Sequence, residues 1–341
     1  MSTRLRDLML EKPVLLADGA TGTNFFNMGL LSGNAPELWN VEEPEKVRQL
    51  HQSFVDAGSD IILTNTFGCN RNRLKLHQAE DQVFELNKAA AELARSVAED
   101  APHTVIVAGS VGPTGELFEP LGPLDHATAV ESFSEQMEGL KAGGADVLWI
   151  ETMSAREEIE AAAEAARATG MDYIFTASFD TAGRTMMGIP PSAMGQMAET
   201  MDPPPLAVGA NCGVGATDLL FSILDMTAGG PTAFGGKIAV IAKANCGVPK
   251  IKGDAVVYSG TPDLMAAYVR HAIDAGARII GGCCGTSAEH LTAMRQAIDN
   301  HTRGNRPALE DIVASTGALV NQKSAAEEGG RGTGRRRGRA R

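Results

Sequence analysis

Two adjacent cysteines lie in a glycine-rich segment late in the chain. Residues 281–286 read GGCCGT, so glycines flank Cys283 and Cys284 and let the backbone turn tightly. Neighbouring thiolates can bind one metal ion together, and thiolate ligands favour zinc over magnesium or calcium. The pair therefore predicts a metal site, with small buried thiols as the alternative.

A metal ion held by this pair needs a further ligand, and the sequence offers two equivalent candidates. Residues 210–214 and residues 244–248 both read ANCGV, which places Cys212 and Cys246 in the same local context. Three protein ligands leave the fourth position of a tetrahedral zinc open, as in catalytic sites, whereas four ligands close it. The spacing does not choose between the two cysteines. Cys69 has no cysteine near it in sequence, and we expect it to be a bystander.

The elements that would position these groups repeat eight times along the chain. Short aliphatic runs, each followed by an amphipathic stretch, predict buried parallel strands joined by helices. Eight such units favour an α/β fold, a (β/α)8 TIM barrel, whose functional groups gather at the C-terminal ends of the strands. An open doubly wound sheet is the alternative, but residues 18–22 read DGATG and lack its G-x-G-x-x-G fingerprint. The eight runs span residues 14–18, 60–64, 104–110, 146–151, 173–178, 205–211, 237–243 and 277–282.

The barrel pattern predicts a single domain over residues 1–304, which includes the metal site. Residues 305–341 form a C-terminal extension, and from about residue 323 it is Arg-rich and poor in apolar residues. Such a composition cannot bury enough apolar surface to order itself, so we expect a disordered tail.

Composition and charge limit the classes of partner. Hydrophobic residues make up 43% and charged residues 21%, as in globular proteins, and no run approaches 18 apolar residues, which argues against a membrane protein. The net charge is −12 although the last eleven residues carry six arginines, so we expect no nucleic-acid partner. The N-terminal residues lack the apolar core of a secretory signal. We therefore expect a cytoplasmic location, with all five cysteines reduced.

Six short motifs together resemble the zinc-dependent homocysteine S-methyltransferase family. That family includes betaine–homocysteine methyltransferase and the homocysteine-binding module of cobalamin-dependent methionine synthase. The resemblance covers about residues 10–300 in order. Its motifs are DGATGT (18–23), TNTF (64–67), GPTG (112–115), ET (151–152), GANCG (209–213) and GGCCGT (281–286).

The resemblance implies a specific set of site residues. Zinc would be held by Cys212, Cys283 and Cys284, with no catalytic residue beyond these ligands. The cysteine at position 246 stands where methionine synthase modules have alanine, and it is either a harmless exchange or a fourth thiolate. The preceding asparagine, Asn245, matches a residue that faces the metal in some substrate-free members of the family.

The substrate-binding residues are implied in the same way. Glu151 would hold the ammonium group of homocysteine, while Asp18 and the backbone of Gly19 would place its amino-acid end. A carboxylate at a strand end selects an α-ammonium group through a charge-assisted hydrogen bond, which agrees with that assignment.

The methyl donor is the least constrained part of the prediction. Quaternary ammonium donors such as betaine bind in aromatic cages, but Thr152 follows Glu151 here, and Trp39 and Phe67 offer at most a partial cage. We therefore expect a methylated corrinoid protein as donor, as in a split methionine synthase. Betaine or S-methylmethionine is the alternative, and a non-catalytic zinc-binding scaffold is the alternative of another class.

Overall fold

The computed structural model describes residues 4–228, 233–252 and 255–320 of the chain. The tail expected to be disordered from about residue 323 lies outside these residues, so that expectation stays a prediction. Among the described residues, no helix is both long and apolar enough to cross a bilayer.

Eight parallel strands form the centre of the molecule, and each overlaps one of the eight aliphatic runs. The strands are β1 Leu15–Leu16, β2 Ile61–Leu63, β3 Ile106–Val111, β4 Val147–Met153, β5 Tyr173–Ala177, β6 Ala207–Cys212, β7 Ala239–Ala244 and β10 Ile279–Gly282. Along the sheet their order is β1-β10-β7-β6-β5-β4-β3-β2. A parallel bridge between Ala17 and Ile61 joins the two end strands, β1 and β2, which closes the sheet into a barrel and excludes the open alternative.

Helices surround the barrel and connect its strands. The described helices are α1 Arg4–Glu11, α2 Gly22–Asn27, α3 Trp39–Glu42, α4 Pro44–Asp56, α5 Arg71–Leu74, α6 Val83–Asp100, α7 His126–Ala142, α8 Arg156–Thr169, α9 Pro191–Thr200, α10 Ala216–Met226, α11 Pro262–Asp274, α12 Ala288–Asn300 and α13 Leu309–Thr316. Short 3₁₀ turns cover Pro36–Leu38, Lys75–His77, Glu80–Gln82 and Ala233–Gly236.

The apolar core has two layers because successive strand residues point to opposite faces of the sheet. One layer fills the barrel interior and includes Trp149 of β4 and Ile241 of β7, with Leu5 and Leu8 of α1 packed against the same cluster. The other layer lies between the strands and the surrounding helices.

The inward-facing positions become polar towards the C-terminal ends of the strands. Four strands each carry a buried polar side chain two residues beyond an inward-facing position. These side chains are Ser110 of β3, Glu151 of β4, Asn211 of β6 and Lys243 of β7. The strand period therefore places a polar layer on top of the apolar interior.

Two further elements complete the described fold. A two-stranded antiparallel hairpin, β8 Pro249–Lys252 and β9 Ala255–Tyr258, follows β7 and was not predicted from the sequence. Beyond the last barrel helix, α13 packs on the barrel: Ile312 is fully buried and the hydroxyls of Thr217 and Thr316 lie 2.9 Å apart.

Candidate metal centre

Three cysteines meet at the C-terminal end of the barrel. Cys212 ends β6, and Cys283 and Cys284 follow β10, with β7 between these two strands. Their three sulfur atoms all lie within 4.8 Å of one another. No other group of three histidine, cysteine, aspartate or glutamate side chains is as close in the described part of the chain. The expected convergence of strand ends therefore brings together the three cysteines that the resemblance implies.

The backbone around the three cysteines is tightly constrained. Cys212 adopts a left-handed conformation with φ of 63°, which turns its side chain at the end of the strand. Gly282 cannot carry a side chain, because a Cβ there would lie 2.2 Å from Thr286 Cγ2. The Cys283 N–H donates to the Ala244 carbonyl at 2.6 Å, which ties the cysteine pair to the end of β7.

The fourth cysteine of the region, Cys246, lies outside the group. It is 1% exposed, its sulfur packs against Gly260, and burial raises its pKa to about 11. Its backbone N–H supports the pair by donating to the Cys284 carbonyl at 2.9 Å. The structure thus separates two cysteines that the spacing could not. Cys69 is also remote from the group, in a small cluster with Leu74 and Leu86.

Asn245 presents an unused oxygen beside the cysteine group. Its Nδ2 donates to the Gly213 carbonyl at 2.5 Å, next to Cys212 in the chain. Its Oδ1 is buried and has no hydrogen-bond partner. A buried acceptor without a partner costs free energy, so this oxygen is suited to meet a ligand or a metal ion.

The three neighbouring thiols shift one another's pKa values in opposite directions. Interactions with Cys212 and Cys283 lower the pKa of Cys284 to about 3, whereas interactions with Cys283 and Cys284 raise the pKa of Cys212. The nearby Tyr258 hydroxyl also lowers the pKa of Cys284 and so favours its thiolate. Tyr258 belongs to β9, and its ring lies over Gly285, where a Cβ would be 2.3 Å from Tyr258 Cγ.

Glu151 lies in the polar layer with both carboxylate oxygens engaged. Ser110 Oγ donates to Oε1 at 2.5 Å, and Asn211 Nδ2 donates to Oε2 at 3.3 Å. Burial raises the pKa of Glu151 to about 7, against the opposing effect of the Lys243 ammonium. The same asparagine side chain donates to Thr152 Oγ1 at 2.7 Å, which fixes the end of β4 relative to β6.

Asp18 occupies the corresponding place after β1. Its Oδ2 accepts the Leu63 N–H at 2.7 Å, and its Oδ1 lies 3.3 Å from Lys243 Nζ as an ion pair. Burial raises the pKa of Asp18. Gly19 packs closely against Thr286, since a Cβ at Gly19 would lie 2.7 Å from the Thr286 carbonyl oxygen.

Lys243 is a site residue that the sequence analysis missed. It is 3% exposed, and its Nζ donates to the Gly282 carbonyl at 2.7 Å and to the Gly19 carbonyl at 3.3 Å. Although burial favours the neutral amine, the Asp18 carboxylate raises the pKa of Lys243 above its usual value. The signal was present in the sequence, because a lysine ended an otherwise aliphatic strand at an inward-facing position.

The two aromatic residues considered for a cage are in different environments. Trp39 is 7% exposed, its ring centroid lies 5.0 Å from that of Phe25, and Lys46 Nζ covers the ring at 4.5 Å. Its faces are therefore occupied within the fold. Phe67, in the connection after β2, is 38% exposed.

The three cysteine sulfurs are metal ligands of the kind that zinc prefers. Two sulfurs on one zinc ion lie roughly 3.8 Å apart, because each Zn–S bond is about 2.3 Å, and the three sulfurs here all lie within 4.8 Å of one another. All five cysteines are free thiols. Asn245, whose Nδ2 donates to the carbonyl of the residue after Cys212, adds an unpartnered oxygen, Oδ1.

Comparisons with known proteins agree with this architecture. A family model described as homocysteine S-methyltransferase matches residues 15–298. Methionine synthases of Mycobacterium leprae and Mycobacterium tuberculosis are each 26% identical, over 88% and 89% of this chain. The matched region is 26% of each of those proteins, so the chain spans about a quarter of their length.

Solved structures with the same fold include the homocysteine methyltransferase MmuM of Escherichia coli. Its oxidised form is 26% identical with a TM-score of 0.70, and its metallated form is 24% identical with a TM-score of 0.72. Both alignments cover 86% of this chain and 99% of the other. The family model covers most of the barrel. The chain therefore belongs to the homocysteine S-methyltransferase family.

Proposed function

We propose that this protein transfers a methyl group to the sulfur of L-homocysteine, which yields methionine. The observation that carries the proposal is the meeting of three cysteine sulfurs beside two buried carboxyl groups. Thiolates bind a thiophilic cation and carboxylates bind an ammonium group, so the site offers a partner to each end of a thiol amino acid. The name of the E. coli protein, a homocysteine methyltransferase, supports the same substrate.

Zinc is the proposed metal, with Cys212, Cys283 and Cys284 as its ligands. When bound, zinc supplies the positive charge that keeps a substrate thiol deprotonated at neutral pH. Three cysteine ligands leave one position for the homocysteine sulfur. Asn245 Oδ1 is the oxygen that we expect to face this position before the substrate arrives.

Glu151, Asp18 and the backbone of Gly19 would hold the amino-acid end of the substrate. Ser110 and Asn211 each donate to one oxygen of Glu151, which orients the carboxylate and leaves further lone pairs for an ammonium group. Burial of the two carboxyl groups strengthens such a charge-assisted bond because water does not compete for it.

The transfer step itself moves no proton. A bond forms between the homocysteine sulfur and the methyl carbon while the bond from that carbon to the donor breaks, and the donor keeps the electron pair. The protein's own residues hold the two reactants in line, and this positioning lowers the barrier. We therefore assign no general acid or base, and no catalytic residue beyond the metal ligands.

A methylated corrinoid protein is the proposed donor. Large apolar side chains are exposed on connections that leave the C-terminal ends of the strands, on the side of the cysteine group: Leu31, Phe67, Leu117, Leu121, Met186 and Met187. Exposed apolar side chains around a site are typical of surfaces that contact another protein, and methionines adapt to such contacts. A donor carried on a protein would bury these side chains during transfer.

A small onium donor, betaine or S-methylmethionine, is the second candidate. The specific observation in its favour is the ring of Tyr258, which touches the cysteine group and offers an aromatic face near the transfer point. Against it, Trp39 is packed in the core and cannot complete a cage with Phe67.

Methionine formation tests the proposal. Zinc-loaded protein and homocysteine are mixed with methylcobalamin, betaine or S-methylmethionine, one donor at a time, with Cys283→Ala as the matched control. Turnover with methylcobalamin alone would support the corrinoid donor, and turnover with an onium compound alone would replace it by the second candidate. Zinc binding without homocysteine binding or turnover would contradict the proposed enzymatic function and favour the non-catalytic zinc-binding scaffold.

A further inference from the structure

One buried ammonium group connects the two ends of the proposed site. Lys243 Nζ has three partners: it donates to the Gly282 carbonyl at 2.7 Å and to the Gly19 carbonyl at 3.3 Å, and it forms an ion pair with Asp18 Oδ1 at 3.3 Å. The two carbonyl groups and the carboxylate together offset the charge of the ammonium group, while Asp18 Oδ1 itself has no hydrogen-bond partner. The side chain is 3% exposed, and a buried charge persists only when it is paired in this way.

The three partners of Lys243 belong to two segments with different roles. Gly282 directly precedes Cys283, and its N–H in turn donates to the Asp18 carbonyl at 3.1 Å. Asp18 and Gly19 follow β1 at the end proposed for the amino acid. Lys243 stands on β7, which lies two strands from β1 and directly beside β10, so its side chain spans the gap between the segments.

Charge balance gives the same residue a second task. The positive charge of Lys243 also acts on both buried carboxyl groups, Asp18 and Glu151, and favours their ionised forms. Without that charge, the two carboxyl groups would be buried without the positive side chain that offsets them.

We propose that Lys243 is a positioning residue of the methyl-transfer site. It fixes the Gly282 carbonyl, and so the turn that carries Cys283 and Cys284, while it holds Asp18 in place for homocysteine. The inference rests on the proposed function, because it assigns Lys243 to the metal and substrate sites of that reaction.

The test compares metal affinity and substrate kinetics in three variants of the full chain. Lys243→Met removes the charge and the donors at similar length, and Lys243→Gln keeps a donor without the charge. Lys12→Met is the matched control, because Lys12 Nζ also pairs with a buried carboxylate, Asp60, at 2.5 Å, but near the N-terminal ends of the strands. Zinc affinity is measured by competition with a chromophoric chelator, and coordination by the thiolate-to-cobalt absorption of the Co²⁺ form.

We expect Lys243→Met to weaken zinc binding about 10- to 100-fold, the range typical of residues that support metal ligands. The KM for homocysteine should rise as well, while Lys243→Gln should lose less zinc affinity than Lys243→Met. Lys12→Met should lose neither. If Lys243→Met does not fold, Lys243→Gln decides by the same comparison with Lys12→Met.

The outcomes separate this inference from the proposed function. A Lys243 variant that binds zinc and homocysteine within twofold of the parent protein, while the parent makes methionine, overturns the role of Lys243 alone. A parent protein that binds neither zinc nor homocysteine overturns the proposed function. Equal losses in the Lys243 and Lys12 variants would show a general effect on folding and would also overturn the assignment.

Discussion

Cys212 has a backbone conformation that cysteine rarely adopts. Its φ of 63° is left-handed, and such a conformation costs about 1–3 kcal/mol for a residue other than glycine. The cost is met by the neighbouring structure, because Asn211 is locked to Thr152 by two hydrogen bonds of 2.9 and 2.7 Å. In this conformation the Cys212 sulfur lies within 4.8 Å of the sulfurs of Cys283 and Cys284.

Substitution of Cys212 tests whether this residue is a metal ligand or only a buried thiol. We expect Cys212→Ala to weaken zinc binding by more than about 100-fold, beyond the range of residues that only support ligands. Cys246→Ala is the control, since Cys246 has the same sequence context but lies outside the sulfur group. Both are measured by chelator competition. Retained zinc affinity in Cys212→Ala would show that Cys212 is not a ligand.

The raised pKa of Glu151 predicts that homocysteine binding depends on pH. Its pKa is raised to about 7 by burial, so the carboxyl group is mostly neutral at pH 6 and mostly ionised at pH 8. Only the ionised form attracts the substrate ammonium, and the KM should therefore fall about tenfold as pH rises through this range. The measurement is KM against pH for the zinc-loaded protein.

Glu151→Gln is the control for that profile. The substrate thiol also titrates in this experiment, but it does so equally in both proteins, and only the difference between the two profiles reports Glu151. At pH 8 the variant should bind homocysteine about 10- to 100-fold more weakly, as expected for loss of a hydrogen bond to a charged group. Identical pH profiles in the two proteins would contradict the assignment of Glu151.

At the scale of the elements, the pairing of β6 with β7 determines whether Cys212 reaches Cys283 and Cys284. The two strands pair in register from Ala207–Ala239 to Cys212–Ala244, which carries Cys212 to the same level as the turn after β10. Gly209 permits this approach, because a Cβ there would lie 1.9 Å from the Ile241 carbonyl oxygen. The position of Cys212 thus depends on a close backbone contact three residues earlier.

Gly209→Ala tests this dependence. The added methyl group must displace backbone, and we expect it to lower the free energy of unfolding by about 1–3 kcal/mol, with weaker zinc binding as a second effect. Gly22→Ala, at the start of α2, has no atom within 4 Å of the new Cβ and should be neutral or stabilise by up to about 1 kcal/mol. Urea denaturation of both variants provides the measurement; a neutral Gly209→Ala would mean that the strands can separate without cost.

The elements also show what sequence reasoning could reach. The eight strands and their closure followed from buried runs and from the common direction of parallel strands, whereas the choice of Cys212 over Cys246 followed from the family resemblance. The hairpin β8–β9 was missed, and with it Tyr258, because two short runs around a Gly-Asp pair are a weak local signal. Lys243 was missed because its strand was assessed for hydrophobicity alone. The strand period would have placed it inward, two residues beyond Ile241.

The apolar packing that stabilises the barrel does not include Cys212, Cys283 or Cys284. The barrel interior is filled by a continuous apolar cluster that includes Leu8 of α1, and a second cluster packs the helices on the strands. The three cysteines lie above these clusters, and their backbone groups bond to neighbouring strand ends. A metal ion at this position would therefore add to the stability of a barrel that is already folded.

Metal removal tests this view of the molecule as a whole. We expect the chelated protein to keep its far-UV circular dichroism and a cooperative thermal transition, because the core does not depend on the site. Restoring zinc at 100 times its Kd should stabilise the fold by about 2.7 kcal/mol, as mass action requires for a ligand of the native state. Homocysteine binding should disappear on chelation and return with zinc. Chelation that unfolds the barrel would instead identify the metal as a structural element, since proteins built on structural zinc lose their fold without it, and the non-catalytic scaffold would then be the better account.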